Sequence, residues 1–135
     1  MKKEYAYGTI ILHEGKTVLV QQKKDFFSFP KGHKEQNESN EETAIRETKE
    51  ETGLVVELIK PIKSYSIKYI KDKKREKTVY FYLAHIVGND KISFQKEELS
   101  DAFYISYQDV RSKLTYQNTK EMWDKAYIDI KELMR

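Results

Sequence analysis

An α+β fold, with helices laid against a sheet, is what this sequence predicts, and three observations carry the prediction. Segments rich in β-branched and aromatic residues recur on both sides of one charged stretch; that stretch has helix start and stop signals; and the last segment has apolar residues at helical spacing. In order, residues 5–12 (YAYGTIIL) and 16–22 (KTVLVQQ) read as strands, and the short HEGK connection between them suits a hairpin. A loop through Phe29, Pro30, Lys31 and Gly32 leads to a helix over 40–52, because Ser39 and Glu42 form a capping-box pattern and Gly53 supplies the stop. Residues 55–59, 62–70 and 78–87 read as further strands of the same sheet, with TVYFYLAHIV the most strand-like run in the chain. Residues 103–105 form a last short strand and 107–114 a short helix. A terminal helix over 118–134 places Trp123, Ala126, Tyr127, Ile130 and Leu133 on one face, a stripe read as core packing. Leaving aside the short strand at 103–105 and the short helix at 107–114, the predicted order is β-β-α-β-β-β-α.

A chain of 135 residues with 39% hydrophobic content suffices for one ordinary core and is short for two, so 1–135 is read as a single domain. Without cysteine there is no disulfide, thiol nucleophile or thiolate metal site, and any metal must be held by oxygen or imidazole. The N-terminal residues lack the apolar core of a signal peptide, and no run is long enough to span a bilayer; the expectation is a soluble cytoplasmic protein without a membrane partner. A net charge of +3 is too small to argue for stable nucleic-acid binding. Its distribution says more: acidic residues gather in 35–51, while 71–77 (KDKKREK) is mostly basic and is read as a solvated hairpin tip.

On the central helix, Glu47, Glu50 and Glu51 stand at i, i+3 and i+4, which stacks three carboxylates on one face. Like charges so placed repel unless something positive compensates them, either Arg46 or a bound divalent cation. Oxygen-only ligands of this kind suit Mg2+ or Mn2+, with water and substrate phosphates completing an octahedron. A solvated acidic face accounts for the helix alone equally well.

The flanking residues separate the two readings. From Gly32 the chain runs through five residues to Glu38, through seven more to Arg46–Glu47–Thr48–Lys49–Glu50–Glu51–Thr52–Gly53–Leu54. This resembles the Nudix signature at every defined position except Thr48, where a bulky aliphatic residue is expected; a threonine hydroxyl can return to the backbone, so the expected cost is a modest loss of packing. The resemblance implies an α/β/α sandwich with a mixed sheet, the signature helix and the C-terminal helix lying on its faces. It also implies a metal-dependent pyrophosphohydrolase, in which Glu47, Glu50 and Glu51 bind metal, Arg46 orients one of them, the Gly32 carbonyl is a further ligand and Glu38 fixes the loop end. Phosphoryl transfer of this kind needs placement and charge stabilisation more than a covalent nucleophile.

Other stretches resemble the asymmetrical diadenosine tetraphosphate hydrolases of this family, which cleave their substrate to ATP and AMP. Pro30–Lys31–Gly32–His33 is similar to a segment that sets Lys31 and His33 beside substrate phosphates, and Lys77–Thr78–Val79 to a strand whose lysine contacts phosphate. Glu98, six residues before Tyr104, stands where relatives carry a metal ligand or general base, with Glu97 adjacent. Tyr116, in Leu114–Thr115–Tyr116, and Tyr69 are the candidates for stacking on adenine, although the hairpin from Tyr69 to Lys77 is one residue longer than the resemblance implies. The implied partner is a small nucleotide, and a monomer is expected over an oligomer. Capped or triphosphorylated RNA ends, oxidised nucleotides and inositol pyrophosphates stay open as substrates. A non-catalytic nucleotide-binding module is disfavoured because all three signature carboxylates are present.

Overall fold

Side-chain alternation along each strand decides which helix it meets. The computed structural model describes residues 1–22, 25–93, 97 and 99–134. The chain runs β1 (Lys2–Ile11), β2 (Lys16–Gln22), β3 (Phe26–Ser28), β4 (Lys31–Gly32), α1 (Asn40–Thr52), β5 (Val56–Leu58), β6 (Ser64–Asp72), β7 (Arg75–Ile86), β8 (Leu99–Ser106), α2 (Tyr107–Lys113) and α3 (Gln117–Leu133).

The α+β class is the predicted one, but the strands divide between two sheets instead of one. In the larger, mixed sheet β1 lies parallel to β7 from Lys2↔Arg75 to Ile11↔Ala84, β4 takes the other edge of β1, and β6 and β5 share the far edge of β7. The smaller sheet is antiparallel, in the order β3-β2-β8. The HEGK turn does close, with His13 and Lys16 exchanging backbone hydrogen bonds of 2.9 Å and Gly15 at φ 78°. The hairpin predicted to follow ends at that turn, since β7 and β4 occupy the two edges of β1. Gly8 permits the second of these contacts: a Cβ there would lie 2.0 Å from the Pro30 carbonyl oxygen. β4, read from sequence as loop, and β3, for which the sequence predicts no element, are too short for a two-residue period to register. β8 begins at Leu99, ahead of the predicted 103. The extra residue in the β6–β7 hairpin is absorbed as an irregularity between Ile70 and Asp72, so Tyr69 still pairs directly with Lys77.

One face of the larger sheet presents Ala6, Ile10, Val79, Phe81 and Leu83 to α3, which covers them with Met122, Trp123, Ala126 and Ile130. Trp123 is 1% exposed, and its ring meets Phe29, Tyr107 and Tyr127. Leu133, predicted on the same stripe, is 55% exposed, because it lies in the last turn beyond Ile130, where the core ends. The opposite face presents Tyr7, Thr9, Ile11, Tyr82 and Ala84, and α1 lies against it. Thr48 returns its hydroxyl to the Ala44 carbonyl at 2.8 Å, as expected, and also meets the Thr9 hydroxyl at 2.7 Å in a fully buried pair. The packing lost by having threonine there is thus matched by a hydrogen bond from the strand beneath.

Candidate active site

The acidic helix is pinned at both ends by its own sequence. Ser39 Oγ accepts from the Glu42 amide at 3.1 Å and Glu42 Oε1 accepts from the Ser39 amide at 2.8 Å, satisfying two of the donors that a helix start leaves open. Gly53 closes the other end in the left-handed region, at φ 76°, where a Cβ would also strike the Ser93 carbonyl at 2.4 Å. Between the caps, Glu47 and Glu51 are 6% and 5% exposed, and Glu50 is more open.

Arg46 organises these acids and the loop ahead of them. Its guanidinium is bidentate to Glu38, with Nε 2.6 Å from Oε2 and Nη2 3.1 Å from Oε1. Nη1 reaches Glu50 at 2.7 Å, Glu35 at 3.0 Å and Glu47 at 3.1 Å, while Nη2 donates to the His33 carbonyl at 2.8 Å. Hydrogen bonds from Arg46 first, then from the Glu35 amide, hold the Glu38 carboxyl down to about 2. The same partners, Glu38 foremost, raise the affinity of Arg46 for its proton. Glu38 also accepts from Thr43 Oγ1 at 2.9 Å, so the loop end and the first turn of α1 close on one carboxylate.

Gly32 faces the helix. A Cβ at this position would sit 2.0 Å from Glu47 Cδ and 2.3 Å from both of its oxygens, so the carboxylate presses against bare backbone. The neighbouring Lys31 amide donates to Glu51 Oε1 at 3.3 Å. Carboxylates gathered against backbone in this way form an oxygen-only donor set, the kind a hard divalent cation takes. A second acidic group, His13, Glu14 and Asp90, lies at the other end of β1; there the imidazole Nε2 is 3.0 Å from Asp90 and 3.2 Å from Glu14, a surface ion-pair set beside the turn.

Across the sheet edge from the acids lies a concentration of cations. Lys77 is only 4% exposed, and burial first, then Lys31 and Lys71, pushes its ammonium down to about 8. Burial together with Lys77 and Lys31 also lowers His33, with Glu4 opposing. Positive groups crowded in this way repel, and an anion relieves the repulsion. The basic run read as a solvated tip therefore splits: residues 71–74 are exposed, and Lys77 is buried in the site. Beside it opens a cavity of about 340 Å3 whose walls include Tyr69, Tyr116, Phe26, Asn118 and Lys31. Phe26 stacks on Tyr116 at 5.4 Å between centroids, which backs one wall with a second ring.

A family model of the NUDIX domain matches residues 2–126. The chain belongs to the Nudix hydrolase family. Among solved structures, this Nudix chain is similar to a C. elegans Ap4A hydrolase binary complex, with a TM-score of 0.81 at 22% identity over 96% of this chain and 98% of that one. It is also similar to a NUDIX-family hydrolase of Clostridium perfringens, with a TM-score of 0.73 at 22% identity over 93% and 99%. Among curated proteins, the mutator protein MutT4 of Mycobacterium tuberculosis (strain CDC 1551 / Oshkosh) is 31% identical over 101 residues, 74% of this chain. The asymmetrical bis(5′-nucleosyl)-tetraphosphatase of Rattus norvegicus is 36% identical over 63 residues, 45% of this chain. The matched parts span 40% and 42% of those two relatives.

Within this Nudix domain the structure brings Gly32, Glu38, Arg46, Glu47, Glu50 and Glu51 together, sets Lys31 and His33 beside them, puts Lys77 with Lys31 rather than with the acids, and lines one cavity with Tyr69 and Tyr116. Glu98 lies outside the described residues; its neighbour Glu97 is exposed. Glu35, Lys71 and Phe26 were not singled out from sequence. Glu35 and Lys71 are charged residues in segments already marked by charge, whereas Phe26 sits in a three-residue strand with no local pattern to expose it.

Proposed function

We propose that this chain hydrolyses dinucleoside polyphosphates, taking diadenosine tetraphosphate to ATP and AMP with Mg2+ or Mn2+ bound. The observation that carries this reading is the double role of Lys31: it lines the same cavity as Tyr69 and Tyr116, while its amide is hydrogen-bonded to Glu51 of the acidic helix. One end of a substrate stacked in that cavity therefore has its phosphates led past Lys31 towards the carboxylates.

Glu47, Glu50 and Glu51, with the Gly32 carbonyl, would hold the cation, and its chemistry would be to neutralise charge on the pyrophosphate and polarise the phosphorus under attack. Arg46 holds Glu47 and Glu50 in position and Glu38 keeps Arg46 in place. Lys31, Lys77 and His33 bind the phosphate chain, and Tyr69 and Tyr116 sandwich the base, a contact that tolerates different bases. Overall, water adds across one P–O–P bridge, its oxygen bonding to phosphorus as the bridging oxygen leaves.

The test is hydrolysis of a substrate panel with Mg2+: diadenosine tetraphosphate, capped and triphosphorylated RNA ends, oxidised nucleoside triphosphates, nucleotide sugars and inositol pyrophosphates. ATP and AMP in equal amounts from diadenosine tetraphosphate, at the highest kcat/KM of the set, is the expected result. Turnover of another class with none of this one would overturn it.

A further inference from the structure

A substrate with a nucleoside at each end has a second base to place, and we propose that it docks in a separate depression, against the exposed ring of Tyr5 and beside His33 and Lys34. This inference rests on the substrate reading above and extends it to the far end of the molecule.

The depression exists because β4 is short. It pairs only with Tyr7 and Gly8 of β1, so the stretch of β1 before Tyr7 has no β4 partner on that edge. A hollow of about 480 Å3 opens there, lined by Lys2, Glu4, Tyr5, Tyr7, Lys71 and the His33–Lys34 pair. Both this hollow and the Tyr69–Tyr116 cavity fall in the range of roughly 300–1,000 Å3 usual for small-ligand sites. They flank the cation cluster: Lys31 lines the first and His33 the second, and two residues of chain separate their Cα atoms by at most about 7 Å.

Its chemistry suits a nucleoside trailing phosphates. Tyr5 is 44% exposed, the aromatic residue of the solvent-facing first part of β1, just ahead of the buried run that starts at Ala6. Beside it Tyr7 is held by stacking on Tyr80, at 5.9 Å and 14° between planes, and carries the Lys34 ammonium 5.5 Å from its ring centre. Lys2, Lys34 and Lys71 supply positive charge. The one carboxylate in the lining, Glu4, is engaged by Lys71 at 3.3 Å and Arg75 at 3.5 Å, so phosphates would not meet an uncompensated acid. Lys71 lines this hollow and Lys31 the other, and both act electrostatically on Lys77, so the two hollows border one group of cations. A polyphosphate laid along it has an aromatic platform at each end.

The experiment compares kcat/KM for diadenosine tetraphosphate with that for adenosine 5′-tetraphosphate, which lacks the second nucleoside. Tyr5→Ala and Lys34→Ala should each lower the ratio of the two about five- to tenfold, the order of effect expected from loss of base stacking and its cation support. Tyr5→Phe should leave the ratio where it was, and unchanged melting temperatures would show that the surface substitutions spare the fold. If the unaltered chain cleaves both substrates and neither alanine variant moves the ratio, the second subsite is wrong and the substrate reading stands. If the unaltered chain cleaves neither, the substrate reading falls and takes the subsite with it.

Discussion

α1 and α3 lie on opposite faces of the same sheet and are held there by different forces. α3 buries Met122, Trp123, Ala126 and Ile130, an apolar stripe at helical spacing whose stability is that of any amphipathic helix. α1 buries Thr43, Ala44, Glu47, Thr48, Glu51 and Thr52, and to these it adds only the half-buried Ile45, so its inner face is mostly polar. What secures α1 is polar and local: a complete capping box, a left-handed glycine stop, threonine hydroxyls returned to the preceding turn, and Arg46 spread over four carboxylates. One helix is a structural member. The other gives up apolar contact to keep a cluster of acids close to backbone, an arrangement whose value lies in what it can bind.

That contrast can be broken at either helix. Trp123→Ala should do most damage, costing about 3–5 kcal/mol through the cavity it leaves, read as a lowered denaturation midpoint. Glu50→Gln should do the reverse, leaving the midpoint nearly unmoved while kcat falls about 100-fold, or ~2.7 kcal/mol on the barrier; activity surviving that change would remove Glu50 from the cation site. Thr48→Val strands the Thr9 hydroxyl in the interior and should cost ~1–3 kcal/mol, whereas Thr48→Val with Thr9→Val together should recover most of it. A double variant no more stable than the single one would mean the pair does not hold α1 to β1. Smallest is Ser39→Ala, expected to lower stability by about 1 kcal/mol through loss of the cap, measurable by urea titration.

The same contrast explains what could be read from the sequence. Both helices were legible because caps and apolar spacing are local: Ser39, Glu42 and Gly53 bound α1, and Trp123 to Ile130 mark α3. The carboxylate spacing was legible for the same reason, and the resemblance of residues 32–54 to the Nudix signature attached a chemistry to it. The division into two sheets was not, because an alternating strand looks the same whichever sheet it joins. Nor was the partnership of Thr48 with Thr9, 39 residues away, which turned an apparent packing defect into a matched contact. Leu133 kept the helical period but had passed the end of the core, a limit set by the sheet and not by the helix. The burial of Lys77 inside a run of exposed charge was likewise set by its strand partners, Glu4 and Tyr69.

During synthesis, β1 emerges about 70 residues before β7, its parallel partner at every position from Lys2 to Ile11. At roughly 5–20 residues per second that interval lasts on the order of 4–15 s, through which β1 has only the two-residue β4 to pair with and its long edge stays open. α1, capped from within, can wind in the meantime, but the surface that receives it waits for Tyr82 and Ala84. The charged opening Lys2–Lys3–Glu4 then acts as a guard, discouraging β1 from pairing with a neighbouring chain until its own partner arrives.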